Sequence, residues 1–340
     1  MVDIKSLDLN EITDLLTSNG FEKYRAKQVL LWLKSGVTSF DDMKNIPKSI
    51  KEFLKRNTYL ACAEVERKLV SKLDATVKYL FKMYDGEYVE SVVMEYHHGS
   101  TICISTQVGC KMGCDFCATG KSGFSRNLTA SEMIAQIQSA QIDLNKRISN
   151  VVLMGMGEPF DNYENVIKFL QLVSSEDSLN IGMRHITVST CGIVPKIYEF
   201  ADLRTQCNLS VSLHAVNDKK RSEIMPINRK YNLDELIKAC KYYTQKTNRR
   251  ITFEYAMIHG VNDTENDAEN LAKLLGDILC HVNLIPVNSI TGSSYQKSNN
   301  KSLEAFSNIL SKYKVNSTVR RTLGSDINAS CGQLKRNMNL

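Results

Sequence analysis

Three cysteines lie within eight residues of one another, in the segment Cys110-Lys111-Met112-Gly113-Cys114-Asp115-Phe116-Cys117. A loop this short cannot bury three sulfurs independently, so thiols at this density are typical of metal ligands. A structural zinc ion needs four ligands, usually supplied as two pairs, and the chain has no second Cys-x-x-Cys or His-x-x-x-His pair. Three thiolates can instead hold a [4Fe–4S] cluster and leave one iron open to a substrate. The spacing therefore favours an iron–sulfur cluster over a zinc site.

The C-x3-C-x2-C spacing, with the aromatic Phe116 just before the third cysteine, resembles that of the radical S-adenosylmethionine (SAM) enzymes. This resemblance implies that Cys110, Cys114 and Cys117 are the ligands of a [4Fe–4S] cluster whose open iron binds the amino and carboxylate groups of SAM. An electron from the reduced cluster then splits SAM into methionine and a 5′-deoxyadenosyl radical. The motif is specific for the superfamily and says little about the substrate.

Length and composition indicate an ordinary globular protein. A chain of 340 residues, 43% hydrophobic and 24% charged, can form one large domain and a smaller one. It contains no run of eighteen apolar residues and no apolar N-terminal segment, so we expect neither a membrane span nor a signal peptide. Ten cysteines without a secretory signal indicate a reducing compartment, and we expect a cytoplasmic protein.

The positive charge is unevenly distributed. The formal net charge is +6, and the segment from Lys44 to Lys82 holds ten basic and four acidic residues. From Lys312 to the end there are six basic residues and one acidic residue. A basic surface attracts polyanions such as nucleic acids, because binding releases condensed counterions. Lysines solvated on helix faces would give the same counts, so charge alone leaves a nucleic-acid partner open.

The chain changes character near residue 95. Before it, apolar residues at helical spacing are followed by a predicted β-hairpin, Val77–Met83 and Tyr88–Met94, joined by a turn at Asp85-Gly86. After it, apolar strands alternate with helices. The strands are predicted at Ile102–Ser105, Val151–Met154, Ile186–Thr190, Leu209–Leu213, Ile251–Ala256 and Val282–Val287. The helices are predicted at Ser131–Leu144, Tyr163–Ser174, Leu233–Gln245, Asp267–Ile278 and Leu303–Tyr313.

This alternation predicts an α/β fold, a partial (β/α)6 barrel with a small helical N-terminal accessory domain and a linking β-hairpin. We place the accessory domain and hairpin at residues 1–90, the barrel at 96–325 and a C-terminal segment at 326–340. Barrels of this kind carry their active sites at the carboxyl ends of the strands. The cysteine loop follows the first barrel strand directly, so we expect it at that end.

Polar residues at the other strand ends could contact SAM. The segment Gly155-Met156-Gly157-Glu158-Pro159 follows the second strand, and Phe160 stands where a Rossmann fingerprint needs its third glycine. A tight turn here would bring backbone and a carboxylate to the strand end, where they could hold the ammonium of SAM, although an ordinary βα turn looks the same. The predicted SAM-binding residues are Gly157, Glu158, Ser189, Ser212, Leu213, His214 and Asn288.

Two further cysteines are candidates for covalent chemistry. Cys103 lies in the first barrel strand, seven residues before Cys110, and Cys331 lies in the polar segment Gly324–Leu334 after the last strand. Buried free cysteine is the ordinary reading of such residues. Closeness to radical chemistry nevertheless makes both thiols candidate nucleophiles.

Taken together, the motifs resemble those of the dual-specificity ribosomal and transfer RNA adenine carbon-2 methyltransferases, the RlmN family. The terminal Cys331-Gly332-Gln333-Leu334 is highly specific for it, and the resemblance covers nearly the whole chain. The matching segments are Tyr24–Gln28, Phe40–Lys44, Val89–Val92, Cys103–Leu128, Gly155–Asn162, Ile186–Gly192, Ser212–Ala215, Met225–Asn228, His281–Asn288 and Val319–Leu334.

The resemblance implies a two-stage reaction that uses two SAM molecules per turnover. Carbon 2 of adenine is a poor nucleophile, so Cys331 is first methylated, and the radical made from the second SAM takes a hydrogen from that S-methyl group. The carbon radical adds to the adenine, Cys103 then attacks the sulfur to form a transient disulfide, and Glu90 accepts the proton from carbon 2. Judged without the resemblance, Glu90 in an alternating strand would be a surface carboxylate.

The resemblance also implies partners: 23S rRNA at the peptidyl-transferase centre, tRNA beside the anticodon, and an electron donor such as flavodoxin. RNA would bind the N-terminal basic residues together with Arg320, Arg321, Lys335 and Arg336, and we expect a monomer. One alternative is the Cfr-like branch, which methylates carbon 8 and confers antibiotic resistance; Val108 and Pro159 favour the carbon-2 enzymes. Another is a non-catalytic iron–sulfur RNA-binding protein, which would need neither Cys103 nor Cys331.

Overall fold

The computed structural model describes residues 1–97, 99–288, 290 and 294–334, so Lys335, Arg336 and the rest of the predicted segment after Leu334 lie outside the described residues. The α-helices are α1 (Leu9–Thr17), α2 (Tyr24–Lys34), α3 (Lys48–Asn57), α4 (Ala118–Lys121), α5 (Ala130–Leu144), α6 (Tyr163–Ser174), α7 (Val194–Asp202), α8 (Asp218–Ile224), α9 (Leu233–Thr247), α10 (Glu265–Leu275) and α11 (Asn300–Lys312).

The strands are β1 (Val2–Asp3), β2 (Thr58–Tyr59), β3 (Ala63–Val70), β4 (Val77–Met83), β5 (Tyr88–Tyr96), β6 (Gly99–Cys103), β7 (Gln107–Gly109), β8 (Phe124–Asn127), β9 (Ile148–Leu153), β10 (Ile186–Thr190), β11 (Asn208–Ser212), β12 (Ile251–Met257), β13 (Cys280–Pro286) and β14 (Ser317–Val319). No helix in the described residues is long and apolar enough to cross a membrane.

One ten-stranded sheet organises the chain, in the order β14-β13-β12-β11-β10-β9-β6-β5-β4-β3. From β6 through β9 to β14 the neighbours pair in parallel and follow chain order, as a partial barrel requires. The six predicted barrel strands correspond to β6 and β9–β13. The short β14 adds a seventh parallel strand that sequence analysis missed.

Sequence analysis also missed β3 and two helices of the barrel. In α7, Pro195 lies in the first turn, where its missing N–H needs no partner, and the helix buries Val194, Ile197 and Phe200 on one side. The seven-residue α8 is mostly charged, so it shows no apolar periodicity. It begins at the side-chain cap of Asn217 and buries the guanidinium of Arg221.

The predicted hairpin exists, but it does not belong to the N-terminal domain. Its strand β5 pairs antiparallel with β6, so β3, β4 and β5 extend the barrel sheet, and their apolar side chains join the main core. The helices α1–α3 bury a separate core that includes Ile12, Val29 and Leu54. The two apolar cores therefore divide near residue 60, whereas the predicted boundary at residue 90 grouped β3 and β4 of the barrel sheet with the N-terminal domain.

The hairpin turn has a defined geometry. Gly86 donates to the carbonyl oxygen of Met83 over 2.9 Å and has a φ of +84°, and the amide of Met83 donates to Glu87 over 2.8 Å. Gly86 thus occupies the left-handed position of a three-residue hairpin loop. Arg126 donates to Asp85 at the turn and forms two hydrogen bonds to Glu132 of α5, so the hairpin is tied to the barrel.

A small two-stranded sheet, β7 with β8, carries the cysteine loop between its strands. Gly109 ends β7 with a φ of +80°, and a Cβ atom there would lie 1.9 Å from the carbonyl oxygen of Gly123. The next residue, Cys110, donates its amide to that same oxygen over 2.8 Å. The loop can close in this way only because residue 109 has no side chain.

We expect Gly109→Ala to lower the free energy of unfolding by about 2 kcal/mol or more and to reduce iron binding, because a left-handed L residue costs about 1–2 kcal/mol before any clash is counted. Gly123→Ala is the matched control: its φ is +75°, but no atom lies within 4 Å of the added Cβ. Denaturant unfolding and iron content of anaerobically purified variants measure both effects. Equal losses in the two variants would contradict this account.

Candidate active site

The three clustered cysteines line a cleft of about 950 Å³ at the carboxyl ends of the barrel strands, as predicted from their place after the first strand. Cys117 donates its amide to the carbonyl oxygen of Cys114 over 3.1 Å, and Gly113 adopts a φ of +67° between the first two cysteines. Among the described residues, no group of three or more His, Cys, Asp or Glu side chains has the arrangement of a metal site. The three thiols share the cleft without forming a closed metal cage.

The chemistry of these thiols fits a cationic group in the cleft. Burial raises the pKa of Cys110 to about 12 and raises the pKa of Cys114 well above its ordinary value, and the neighbouring sulfurs add to both shifts. Thiolates here would be unstable without a compensating positive charge. Bound iron deprotonates coordinating thiols and supplies that charge, so the residues present fit a three-thiolate iron–sulfur cluster.

The turn after β9 packs against the cysteine loop. Gly157 has a φ of +104°, and a Cβ atom on it would lie 2.6 Å from the Cβ of Gln107. Gln107 in turn accepts the amide of Glu158 through Oε1 over 2.9 Å. The glycine therefore lets the turn approach the strand that leads into the cysteine loop.

The carboxylate of Glu158 forms hydrogen bonds with neighbouring residues of the chain. It is buried and accepts hydrogen bonds from the hydroxyl of Thr190 over 2.6 Å, the amide of Cys191 over 2.7 Å and the amide of Phe160 over 3.0 Å. Burial raises its pKa, and these hydrogen bonds oppose the shift. The side chain thus joins the ends of β9 and β10, and Gly157 and Glu158 both line the cleft.

Of the seven predicted SAM-binding residues, all except Leu213 line the cleft. They are Gly157, Glu158, Ser189, Ser212, His214 and Asn288. The side chain of Leu213 is fully buried in the main core, its amide donates to the carbonyl oxygen of Glu254, and its own carbonyl oxygen accepts from Arg221. The side chain of Leu213 therefore supports the cleft from behind.

His214 is a buried, neutral imidazole at the end of β11. Its Nδ1 accepts the amide of Ala256 over 2.9 Å, and its ring lies edge-on to Phe116 of the cysteine loop, 4.7 Å between centroids. Burial lowers its pKa to about 3, and the nearby Arg221 acts in the same direction. His214 thus links the fourth barrel strand to the cysteine loop without contributing charge.

Cys331 lies between this cleft and a second, smaller cavity, which Cys103 also lines. The C-terminal segment reaches this position through three hydrogen bonds: the carbonyl oxygen of Cys331 accepts from Asn288 over 3.1 Å, that of Gly332 accepts the amide of Ala118, and that of Leu334 accepts from Thr119. The two cysteines are 228 positions apart in sequence, and the fold brings them to one cavity.

Arg320 is the cation beside these two thiols. It lines both cavities, and its pKa is raised, chiefly by the Cys331 sulfur, while burial opposes the shift. Burial raises the pKa of Cys103 to about 12, and Cys331 adds to this shift while Arg320 opposes it. Arg320 was expected to contact RNA as one of the basic residues near Cys331, whereas in the structure its side chain lines both cavities.

Glu90 is buried in the structure and is not the surface carboxylate that its strand pattern suggests. Its Oε1 forms a 2.8 Å ion pair with Nζ of Lys78, and both side chains are less than a tenth exposed. It lies on the same face of the sheet as Val92, which lines the cavity of Cys103 and is paired with Cys103 in register. Glu90 and Cys103 therefore share one face of the sheet.

Two charged residues of this region escaped sequence analysis. Glu254 of β12 lines the cleft; its Oε1 accepts from Ser210 and Asn283, and its Oε2 lies 3.9 Å from Arg320 with no hydrogen-bond partner in the described residues. The fully buried Arg221 donates to the carbonyl oxygens of Cys191, Ser212 and Leu213. Neither residue belongs to a recognisable motif. The one sequence signal for Glu254 is that it is a charged residue inside an apolar strand pattern.

Comparison with known proteins identifies the family. The radical SAM superfamily matches residues 104–275, and the ribosomal RNA large subunit methyltransferase N-terminal domain matches residues 2–60. The second match ends where the two apolar cores divide. A solved radical SAM methyltransferase from Sphaerobacter thermophilus superposes with a TM-score of 0.94 at 41% identity, covering 99% of this chain and all of that one.

Curated relatives agree over almost the whole length. A probable dual-specificity RNA methyltransferase RlmN from Clostridium novyi is 54% identical, over 99% of this chain and 98% of the relative. The protein of the same name from Alkaliphilus oremlandii is 52% identical, over 98% of both chains. With 98–99% of the chain matched at this level, the chain belongs to the RlmN family of dual-specificity RNA methyltransferases, within the radical SAM superfamily.

Proposed function

We propose that this protein makes 2-methyladenosine in 23S rRNA and in tRNA, using Cys331 as the methyl carrier. The observation that carries the proposal is the position of Cys331, which lines both the cleft of the cysteine loop and the cavity of Cys103. A carrier thiol has to meet a methyl donor on one side and a resolving thiol on the other. Cys331 borders both compartments.

In this proposal Cys110, Cys114 and Cys117 hold a [4Fe–4S] cluster, and two SAM molecules are used per turnover. When bound, the cluster supplies the electron that cleaves SAM. Gly157, Glu158, Ser189, Ser212, His214 and Asn288 line the space for SAM, and Leu213 supports it from behind. The half-buried Cys331 accepts the methyl group from the first SAM, and Arg320 lines the cleft beside it.

The remaining residues complete the transfer. Once the methylene carbon on Cys331 is bonded to adenine carbon 2, the adduct carries one unpaired electron, which the oxidised cluster would accept. Glu90 then takes the proton from carbon 2, and the electron pair of the broken C–H bond stays on the ring. The Cys103 thiolate attacks the Cys331 sulfur, the carbon–sulfur bond breaks, and the released carbon takes a proton to become the methyl group. The buried Cys103 is a poor thiolate on its own because burial raises its pKa, so closeness to Arg320 supports this role.

The product isomer decides between this proposal and the carbon-8 alternative. We expect the reconstituted enzyme, supplied anaerobically with SAM, a flavodoxin-type reductant and an RNA substrate, to yield 2-methyladenosine on nuclease digestion and mass spectrometry. A synthetic 8-methyladenosine standard separates the isomers by retention time. An 8-methyl product would move the chain to the resistance branch, and RNA binding with no methylated product would favour a non-catalytic iron–sulfur protein.

Loss of the carrier thiol and loss of the resolving thiol should have opposite effects on the amount of covalent protein–RNA adduct. We expect Cys103→Ala to accumulate a covalent protein–RNA adduct, because the bond to Cys331 forms and cannot be broken. Cys331→Ala should form no adduct, because it has no methyl carrier. Denaturing gels of anaerobic reactions measure both, with Cys240→Ala as a control thiol on the buried side of α9 that does not line the cleft. Adducts in both the Cys103 and Cys331 variants would show that the carrier is misassigned.

RNA binding is proposed for the N-terminal helices. The basic stretch from Lys44 to Lys82 does not form one surface, since Lys78 is buried and Lys68 pairs with Asp143 over 2.6 Å. On the N-terminal domain, Lys44, Lys48 and Arg56 remain exposed. They can contact phosphates while the target base leaves its stack to enter the cleft.

We expect replacement of Lys44, Lys48 and Arg56 by Gln to weaken RNA binding and to reduce the slope of log affinity against log salt by roughly 2, because each lost phosphate contact removes somewhat less than one unit. The matched control replaces three exposed lysines of the barrel helices, Lys238, Lys273 and Lys312. Filter binding at several salt concentrations measures both. An equal change in the two triple variants would argue against the N-terminal domain as the RNA-binding surface.

The elution volume of the same preparations in size-exclusion chromatography tests the proposed monomer.

A further inference from the structure

The ion pair between Lys78 and Glu90 lies beneath the segment that carries Cys331. The pair is 2.8 Å long, and the side chains are 9% and 5% exposed. In the register of β4 with β5, Lys78 is opposite Val92 and Leu80 is opposite Glu90, so Lys78 and Glu90 are diagonal neighbours on one face. That face extends to Cys103, which is opposite Val92 on β6.

The ammonium group of Lys78 makes a second contact across the fold. Its Nζ donates to the carbonyl oxygen of Asn328 over 3.1 Å, and Asn328 precedes Cys331 by three residues. Asn328 adopts a φ of +50°, which turns the chain after the short helical turn Ser325–Ile327. One ammonium group therefore contacts both the carboxylate proposed to take the proton and the backbone that leads to the carrier thiol.

Other contacts anchor the same segment without touching Glu90. The carboxylate of Asp326 accepts from the hydroxyl of Ser71 over 2.7 Å and from the amide of Lys72 over 2.8 Å. Asp74 accepts the amide of Gly324 over 3.0 Å. These hydrogen bonds therefore already attach the segment to the turn between β3 and β4, at the exposed edge of the sheet. Lys78 is the contact that reaches the interior.

A buried ion pair adds little net free energy to the stability of a fold. Desolvation offsets most of the attraction between the charges, and well-packed apolar residues of similar size are often as stable or more so. Charges buried in this way do fix one arrangement of their neighbours, because any other arrangement leaves a charge unpaired. At this position the neighbours are Glu90 and the segment of Asn328.

We propose that Lys78 is a positioning residue for the proton transfer, and that it holds the Glu90 carboxylate in register with the Cys331 segment. This inference rests on the proposed function above, in which Glu90 accepts the carbon-2 proton from the adduct on Cys331. Lys78 itself touches neither RNA nor SAM in this role. It acts through Glu90, so its loss should slow the step in which the adduct is resolved and should leave the earlier step, in which the adduct forms, in place.

The test follows the covalent adduct through one turnover of the full-length, cluster-loaded enzyme on RNA, by denaturing gel. We expect Lys78→Met to form the adduct and to resolve it on the order of ten- to a hundredfold more slowly, the range in which a misplaced catalytic group acts. Lys78→Arg, which keeps the charge, should restore most of the rate. Asp326→Asn, which weakens only the outer anchor, should lower the yield of adduct without prolonging its life.

A double-mutant cycle separates positioning from mere support of the fold. If Lys78 acts through Glu90, Lys78→Met should add little to the slow resolution of Glu90→Gln, because residues of one unit are not additive. The double variant also buries no unpaired charge, so it remains informative if Lys78→Met alone is insoluble. Additive losses, or resolution by Lys78→Met at the unaltered rate, would overturn the inference while the proposed function stands.

Failure of the proposed function itself would look different. In that case the unaltered protein would give no methyladenosine and Cys103→Ala would give no adduct, whatever stands at position 78. That outcome overturns both proposals together. A normal product from the unaltered protein, a stable adduct in Cys103→Ala and rapid resolution in Lys78→Met would remove the role of Lys78 alone.

Discussion

The alternation of side chains along β4, β5 and β6 is the constraint on which the site depends. Because the side-chain period of a strand is two, the antiparallel register places Lys78, Val92 and Cys103 in one row across three strands, with Glu90 beside it on the same face. A slip of one residue in either pairing would turn these groups to the opposite face, against α5. The antiparallel extension of the barrel is therefore part of the proposed active site.

The carboxyl ends of the parallel strands need a different kind of support. Strand ends leave carbonyl oxygens without ladder partners, and buried ones must find donors. Arg221 provides three such hydrogen bonds, to the carbonyl oxygens of Cys191, Ser212 and Leu213, and Glu158 binds the amide of Cys191 from the neighbouring turn. The polar groups that line the cleft are thus held by a buried cation and a buried carboxylate, which lets the cleft stay open at this edge.

The thiols of the site lie in two different electrostatic surroundings. Around Cys110 and Cys114, burial raises the pKa so far that a bound cationic group is the natural way to deprotonate them. Around Cys103 and Cys331, the protein supplies its own cation, Arg320. The fold thereby separates the sulfurs proposed as metal ligands from those proposed as nucleophiles, and Cys331 borders both cavities.

The sequence by itself determined the cysteine loop, the order of six barrel strands and the family, because these depend on local spacing and on periods of two and of about three and a half residues. Position after a strand was also enough to bring Ser189, Ser212, His214 and Asn288 to one cleft. Only the tertiary structure decided that the hairpin belongs to the barrel, that Leu213 faces the core, that Arg320 points inward and that Glu90 is buried against Lys78. These outcomes depend on which distant strands pair and on which buried charges find partners, and no local pattern of residues carries that information.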